Sequence, residues 1–338
     1  MKTLFSTLLL IILCIPSILF ANDSSYELGL SWLKKGNSIE AVKHFEKALQ
    51  EAPNSIEIKK ALAETYFENK TYFKALPILE ELVKISPKSV TYNSYLAYMY
   101  SFSNQKGKSN QFAEAALKLK PTDSKIIIQL AQTFYQIKHY PKAIELFSNL
   151  PINVQNNSVN LSLAKCYRQL QNFRLAGVYY KKCTEFDPTN AAYQYELANS
   201  LYDNNQMIEA IKEYKVAIDK GYTNQKTIYL NIAEANLVLK NYNEALNYFN
   251  EAKENDPFSK DINLSIAETL MKLERFDDAR KEINKMFEYN KNDAELIYAY
   301  GMTFYKQGNT AKAERYFNDA FAINPSLKSL RYEKLSFQ

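Results

Sequence analysis

Small residues recur in this chain about every 34 positions, twice per cycle, and no other feature restricts the fold as much. One series runs Gly29, Ala63, Ala97, Ala131, Ala164, Ala198, Ala233, Ala267, Gly301. The other runs Ala41, Ala75, Ser109, Ala143, Ala176, Ala210, Ala245, Ala279, Ala313. A period of this length marks a solenoid built from one repeated supersecondary unit. Length alone would suggest roughly two or three domains. A repeat stack grows without splitting, however, and works through its surface rather than a closed pocket.

Each cycle carries two helical patterns. In the first, Leu28, Gly29 and Trp32 share one face, and Gly36 breaks the pattern. Ala41, Phe45 and Ala48 then follow at i, i+4 and i+7 on a second helix. Pro53 ends the unit, because the residue before a proline avoids the helical region. Pro87, Pro121, Pro188, Pro257 and Pro325 take the same slot. The small residues have a mechanical reason. Two helices joined by a short turn approach closely only where side chains are small, and a larger one would overpack the crossing by roughly 1–3 kcal/mol. Large residues fill the space around that contact. Three positions beyond the first small residue stand Trp32, Tyr66, Tyr100, Phe134 and Tyr167. Four beyond the second stand Phe45, Leu79, Phe147, Tyr180, Tyr214, Phe249 and Phe317. Much of the 14% aromatic content is therefore assigned to the core.

This pattern closely resembles the tetratricopeptide repeat family. The last cycle is nearest to a full signature, with Tyr300, Gly301, Phe304, Gly308, Ala313, Phe317, Ala320 and Pro325. The resemblance covers residues 22–327 as nine cycles starting at 22, 56, 90, 124, 157, 191, 226, 260 and 294. It implies an all-α fold, a right-handed superhelical solenoid of about nine helix–turn–helix units. Several positions depart from the pattern. Gln155, Tyr222 and Lys291 replace the terminal proline, Asn236 replaces an aromatic, and Pro77 is expected to kink its helix. The polar stretch 151–157 reads as a bend or longer loop between the fourth and fifth cycles, and the sequence leaves open whether the array is one superhelix or two arms hinged there. Residues 328–338 form a tail. Its Leu330, Leu335 and Phe337, with Leu327 before it, offer an apolar edge for a capping helix.

The resemblance also implies a non-catalytic scaffold that holds a partner protein or peptide in a groove lined by first helices. Projecting the outward face of those helices selects two patches. The first is Gln132, Tyr135, Gln136, Lys165, Arg168, Gln169, Tyr195, Asn199 and Tyr202. Lys165 and Arg168 lie one turn apart among amides and tyrosines, a pattern suited to a carboxylate or an acidic segment. The second is Leu230, Leu237, Leu264, Met271, Tyr298, Met302 and Tyr305, an apolar set of the kind that marks an interface. Aromatics and amides also suit sugars, so an envelope glycan, or a role in polysaccharide export or secretion, is the other reading.

Other classes find little support. The 42 Lys+Arg are interspersed with 37 Asp+Glu, which argues against a nucleic-acid stripe. His44 and His139, the only histidines, fall on second helices away from the groove. No phosphate-binding glycine loop, nucleophile–base spacing or Cys/His metal spacing occurs, so no enzyme, cofactor or metal is expected. Residues 1–21 read as a secretory signal peptide, with Lys2, an apolar run from Leu4 to Phe20, and Ala21 at the cleavage point. The alternative is an uncleaved anchor that ties the scaffold to a membrane. Cys14 follows the bulky Leu13, which excludes a lipoprotein site. The protein is thus expected in a bacterial periplasm or outside the cell. Cys166 and Cys183 fall on adjacent antiparallel helices at offset levels, beyond disulfide reach, and read as small buried apolar residues.

Overall fold

The computed structural model describes residues 24–103 and 105–329. The leader at 1–21 and the tail from Leu330 lie outside the described residues. Among those described there is no strand, only helices and the turns between them. Two compact units divide between Lys138 and His139.

The first unit pairs α1 (Ser25–Lys34) with α2 (Ser38–Glu51), α3 (Ile56–Glu68) with α4 (Tyr72–Ile85) and α5 (Val90–Ser101) with α6 (Lys106–Lys118). It ends on α7 (Ser124–Gln136). The second unit opens on α8 (Tyr140–Ser148). It then pairs α9 (Asn157–Gln169) with α10 (Phe173–Phe186), α11 (Ala191–Asp203) with α12 (Met207–Asp219) and α13 (Gln225–Val238) with α14 (Tyr242–Asn255). The last pairs are α15 (Lys260–Lys272) with α16 (Phe276–Phe287) and α17 (Ala294–Lys306) with α18 (Thr310–Ile323).

Local chemistry explains where the helices start and stop. Ser24, Ser55 and Ser89 accept a hydrogen bond from a backbone N–H of the first turn, as do Asn172, Asn190 and Asp293. A cap of this kind contributes about 1 kcal/mol. Within every pair but α5 and α6 the chain reverses through a left-handed residue. Gly36 and Gly308 take this conformation freely, but Lys70, Gln171, Asn205, Lys240 and Glu274 adopt it at φ near 60°. The next residue bonds back to the large side-chain position of the first helix, as in Thr71 N–H to Tyr66 C=O (2.8 Å) and Asn241 N–H to Asn236 C=O (2.8 Å). That pairing satisfies carbonyls the helix end would leave open.

Every alanine of the two small-residue series is fully buried. Ser109 substitutes for alanine by donating its hydroxyl to the Ala97 carbonyl (2.7 Å). At Gly29 a Cβ would lie 2.4 Å from the Phe45 ring, and at Gly301 it would lie 3.0 Å from the Phe317 ring. The first small residue thus packs under the large residue of its own second helix. Phe147, Phe249, Tyr180, Tyr214 and Phe317 are at most 2% exposed.

Helix α4 runs from Tyr72 to Ile85 with Pro77 inside it, and Ala75, Leu79 and Leu82 beside it are fully buried. The stretch after α8 contains a 3-10 turn at Ile152–Val154, tied by the Gln155 amide to the Leu150 carbonyl (3.0 Å). Tyr222, at one missing-proline slot, stacks on Tyr195 with centroids 4.4 Å apart.

Candidate functional site

The outward faces of the first helices carry the candidate surfaces, and the first patch is divided between the units. Gln132, Tyr135 and Gln136 belong to α7 of the first unit, where Gln136 is exposed and the other two are half-buried. Lys165, Arg168, Gln169, Tyr195, Asn199 and Tyr202 belong to α9 and α11 of the second.

In the second unit two members of the patch are not available as expected. Asn199 is buried at 8% exposure. Its Oδ1 accepts from the Tyr214 hydroxyl (2.7 Å) and from Asn231 Nδ2 (3.3 Å), and Asn231 also donates to the Tyr214 oxygen (3.1 Å). Tyr214 comes from α12 of the same repeat and Asn231 from α13 of the next, so the carboxamide ties repeats together instead of facing a ligand. Arg168 is half-buried and donates Nη1–H to a Glu196 carboxylate oxygen. Burial pulls its guanidinium down, but Glu196, Tyr180 and Asp203 outweigh this and hold it above its ordinary value. Asp203 is itself pushed up by burial, against Arg168. The basic pair is therefore reduced to Lys165, which is exposed. Gln169 accepts from the Tyr140 hydroxyl (3.3 Å), and the Tyr202 hydroxyl donates to Glu234 (3.4 Å).

The apolar patch converges further. Leu264 and Met271 of α15, with Tyr298 and Met302 of α17, line one cavity of about 590 Å³. Leu327 forms part of its wall, and Glu268, Lys272, Glu295 and Lys306 lie around it. Leu230, Leu237 and Tyr305 are half-buried and do not line it. Tyr298 corrects the projection: at 5% exposure it belongs to the core, its ring tilted against Phe317 (5.1 Å) and Phe321 (6.1 Å). Both rings belong to helix α18, so Tyr298 lines the cavity as a core residue rather than as an exposed one. Lys260 anchors the rim by donating to Glu295 (2.5 Å) and Asp293 (3.1 Å). Glu295 foremost holds that ammonium above its ordinary value. Leu327 and Lys306 were not projected as site residues. Leu327 sits beyond α18, outside the first helices that the projection used.

His139 precedes α8 as its N-cap, and His44 is half-buried on α2. Cys166 and Cys183 are buried free thiols, and burial pushes them up to about 12 and about 11. Among the described residues no group of three His, Cys, Asp or Glu is placed to hold a metal. No described helix is long and apolar enough to cross a membrane.

With helix pairs, small-residue crossings and first-helix faces in view, the class is a helical-repeat protein. The chain belongs to the tetratricopeptide repeat family. Tetratricopeptide repeat profiles match residues 33–97 and 237–300, residues 195–260, and residues 158–190 and 294–327. The peroxisomal targeting signal receptor of Saccharomyces cerevisiae is 22% identical over 241 residues, which is 68% of this chain and 39% of the receptor. The chain thus spans well under half of that relative. The C-terminal part of a tetratricopeptide repeat protein from Cytophaga hutchinsonii shares the fold at a TM-score of 0.55, with 18% identity over 71% of this chain and 99% of the other. YrrB, whose structure is described as a TPR protein with an unusual peptide-binding site, aligns at 21% identity and a TM-score of 0.43, covering 58% and 97% of the two chains.

Proposed function

We propose that this protein is a non-catalytic interaction scaffold whose last two first helices hold an apolar side chain of a partner protein or peptide. The observation that carries this reading is the cavity between α15 and α17, where Leu264, Met271 and Met302 meet Leu327. Flexible methionines adapt to varied apolar groups, and a charged rim around an apolar centre is the anatomy of a protein-binding surface. The yeast relative is named as a receptor for a targeting signal, which agrees with recognition of a protein segment. Residues 1–21, with Lys2 and the apolar run to Phe20, support export and a role in a bacterial envelope.

The test is peptide display on residues 22–338. Enriched peptides are expected to compete with one another, to carry a large apolar residue, and to lose about tenfold or more in affinity against Met302→Lys, which places a charge in the apolar cavity. They are expected to bind Lys165→Glu unchanged. Peptides that ignore Met302→Lys, or a library that yields none, would overturn the assignment. N-terminal sequencing of the protein from its native host tests export, since an intact Met1 start would refute cleavage.

A further inference from the structure

The first unit carries a second surface of different chemistry. Helices α1, α3 and α5 line a cavity of about 460 Å³. Leu30 and Leu33 of α1 give it an apolar wall, and both are more than a third exposed. Helix α3 contributes Glu57, Glu64 and Glu68, with Lys60 the one ammonium among the lining residues. The three carboxylates follow at i, i+7 and i+11, on one helix face. Tyr95 of α5 lines the far side. Its ring stacks on Phe67 with centroids 3.7 Å apart.

Glu64 is the telling group. It is half-buried, and among the described residues it makes no ion pair. Burial pushes its carboxyl above the ordinary value, with Lys60 opposing and Glu68 adding to the shift. A charge kept in such a place lacks a partner for its desolvation. The first unit carries more lysines than carboxylates, so an acidic cavity runs against the charge of its surroundings.

We propose that this cavity takes an arginine side chain from an extended segment of a partner protein, at a site separate from the apolar one between α15 and α17. A guanidinium can pair with Glu64 and Glu68 through its planar fork and lie along an aromatic ring such as Tyr95. Leu30 and Leu33 would cover its methylene stem. The proposal rests on the scaffold reading of the chain but not on the apolar cavity.

The test uses two pools of fluorescent nonapeptides, with neutral random residues around one fixed central arginine or around its neutral isostere citrulline. The full chain is expected to bind the arginine pool at least about tenfold tighter, as a charge-assisted hydrogen bond warrants. That preference should shrink as salt is raised. Glu64→Gln with Glu68→Gln should erase it, Glu64→Gln alone should weaken it, and Met302→Lys should leave it intact. Circular dichroism confirms that each variant is folded. Equal binding of the two pools, binding of neither, or a preference that survives the double Glu→Gln change would overturn the proposal. Loss of the preference in Met302→Lys would also overturn it, by moving the arginine to the second unit. A failed apolar site with an intact arginine preference would refute only the former.

Discussion

Replacing Gly29 by alanine sets two physical effects against each other. Helix propensity favours the change by about 1 kcal/mol, since glycine loses more backbone freedom inside a helix. Packing opposes it. The new Cβ would stand 2.4 and 2.5 Å from two carbons of the Phe45 ring and 3.1 Å from a third. Carbon atoms rest at about 3.5–4.0 Å, so the overlap exceeds about 1 Å at two atoms. Phe45 is 0% exposed in a core with Ala41, Leu62 and Tyr66, and has no solvent to move into. Overpacking of this kind costs about 1–3 kcal/mol, which leaves a net destabilisation of about 1 kcal/mol. Repeat arrays need not unfold in one step, so the assay is hydrogen exchange of α1 and α2 amides beside a urea titration. The double variant Gly29→Ala with Phe45→Leu should recover part of the loss, because Ala63 and Leu79 already occupy the matching positions of the next repeat. A coupling above about 0.5 kcal/mol would mark direct contact. If Gly29→Ala alone slows exchange and raises the urea midpoint, propensity has won and the packing argument fails.

Three further outcomes are expected. Burial raises the Glu282 carboxyl, but Lys253 and Lys285 outweigh it and hold the group below its ordinary value of 4.5. Its stabilisation is therefore present above that value and lost as pH falls through the lower folded value; Glu282→Gln should cost about 2 kcal/mol at pH 7 in urea titrations, with the difference closing in strong acid. Asn199→Ala should destabilise the second unit by about 1–3 kcal/mol, because the buried Tyr214 hydroxyl loses its acceptor, and an unchanged urea midpoint would contradict the network. Glu274→Gly should stabilise the fold by about 0.5–1 kcal/mol, read as a higher urea midpoint, since Glu274 holds φ 59° where glycine is unstrained; no gain would mean that unfolded-state entropy cancels the relief.

The all-helical repeated fold was legible because its decisive contact is local. Ala41 meets the first helix of its own cycle, and a small residue at that crossing is demanded in every unit by the same geometry. Departures were legible as positions but not as solutions. The sequence marks Tyr222 as a missing proline, yet only the structure shows its ring on Tyr195. Asn236 stands where an aromatic was due, and the structure shows it buried, donating to the Ile232 carbonyl (2.9 Å). The left-handed turns went unread, because lysine, glutamine and glutamate announce them far less than glycine does.

The outward faces were harder. A helical projection names the residues that point away from the partner helix, but not those that the next repeat then covers. Asn199 projects outward from α11 and is taken up by Tyr214 and Asn231; Tyr298 projects outward from α17 and is held by Phe317 and Phe321. What the sequence determined by itself was therefore the unit: two helices, a close small-residue crossing and a large residue beside it, all within one cycle of about 34 positions. What the tertiary structure decided was which polar and apolar groups the stacking left open. It brought Leu327 beside Met302, gave Arg168 to Glu196, and left Glu64 half-buried without an ion pair. Those outcomes depend on contacts between cycles, which no pattern within a single cycle specifies.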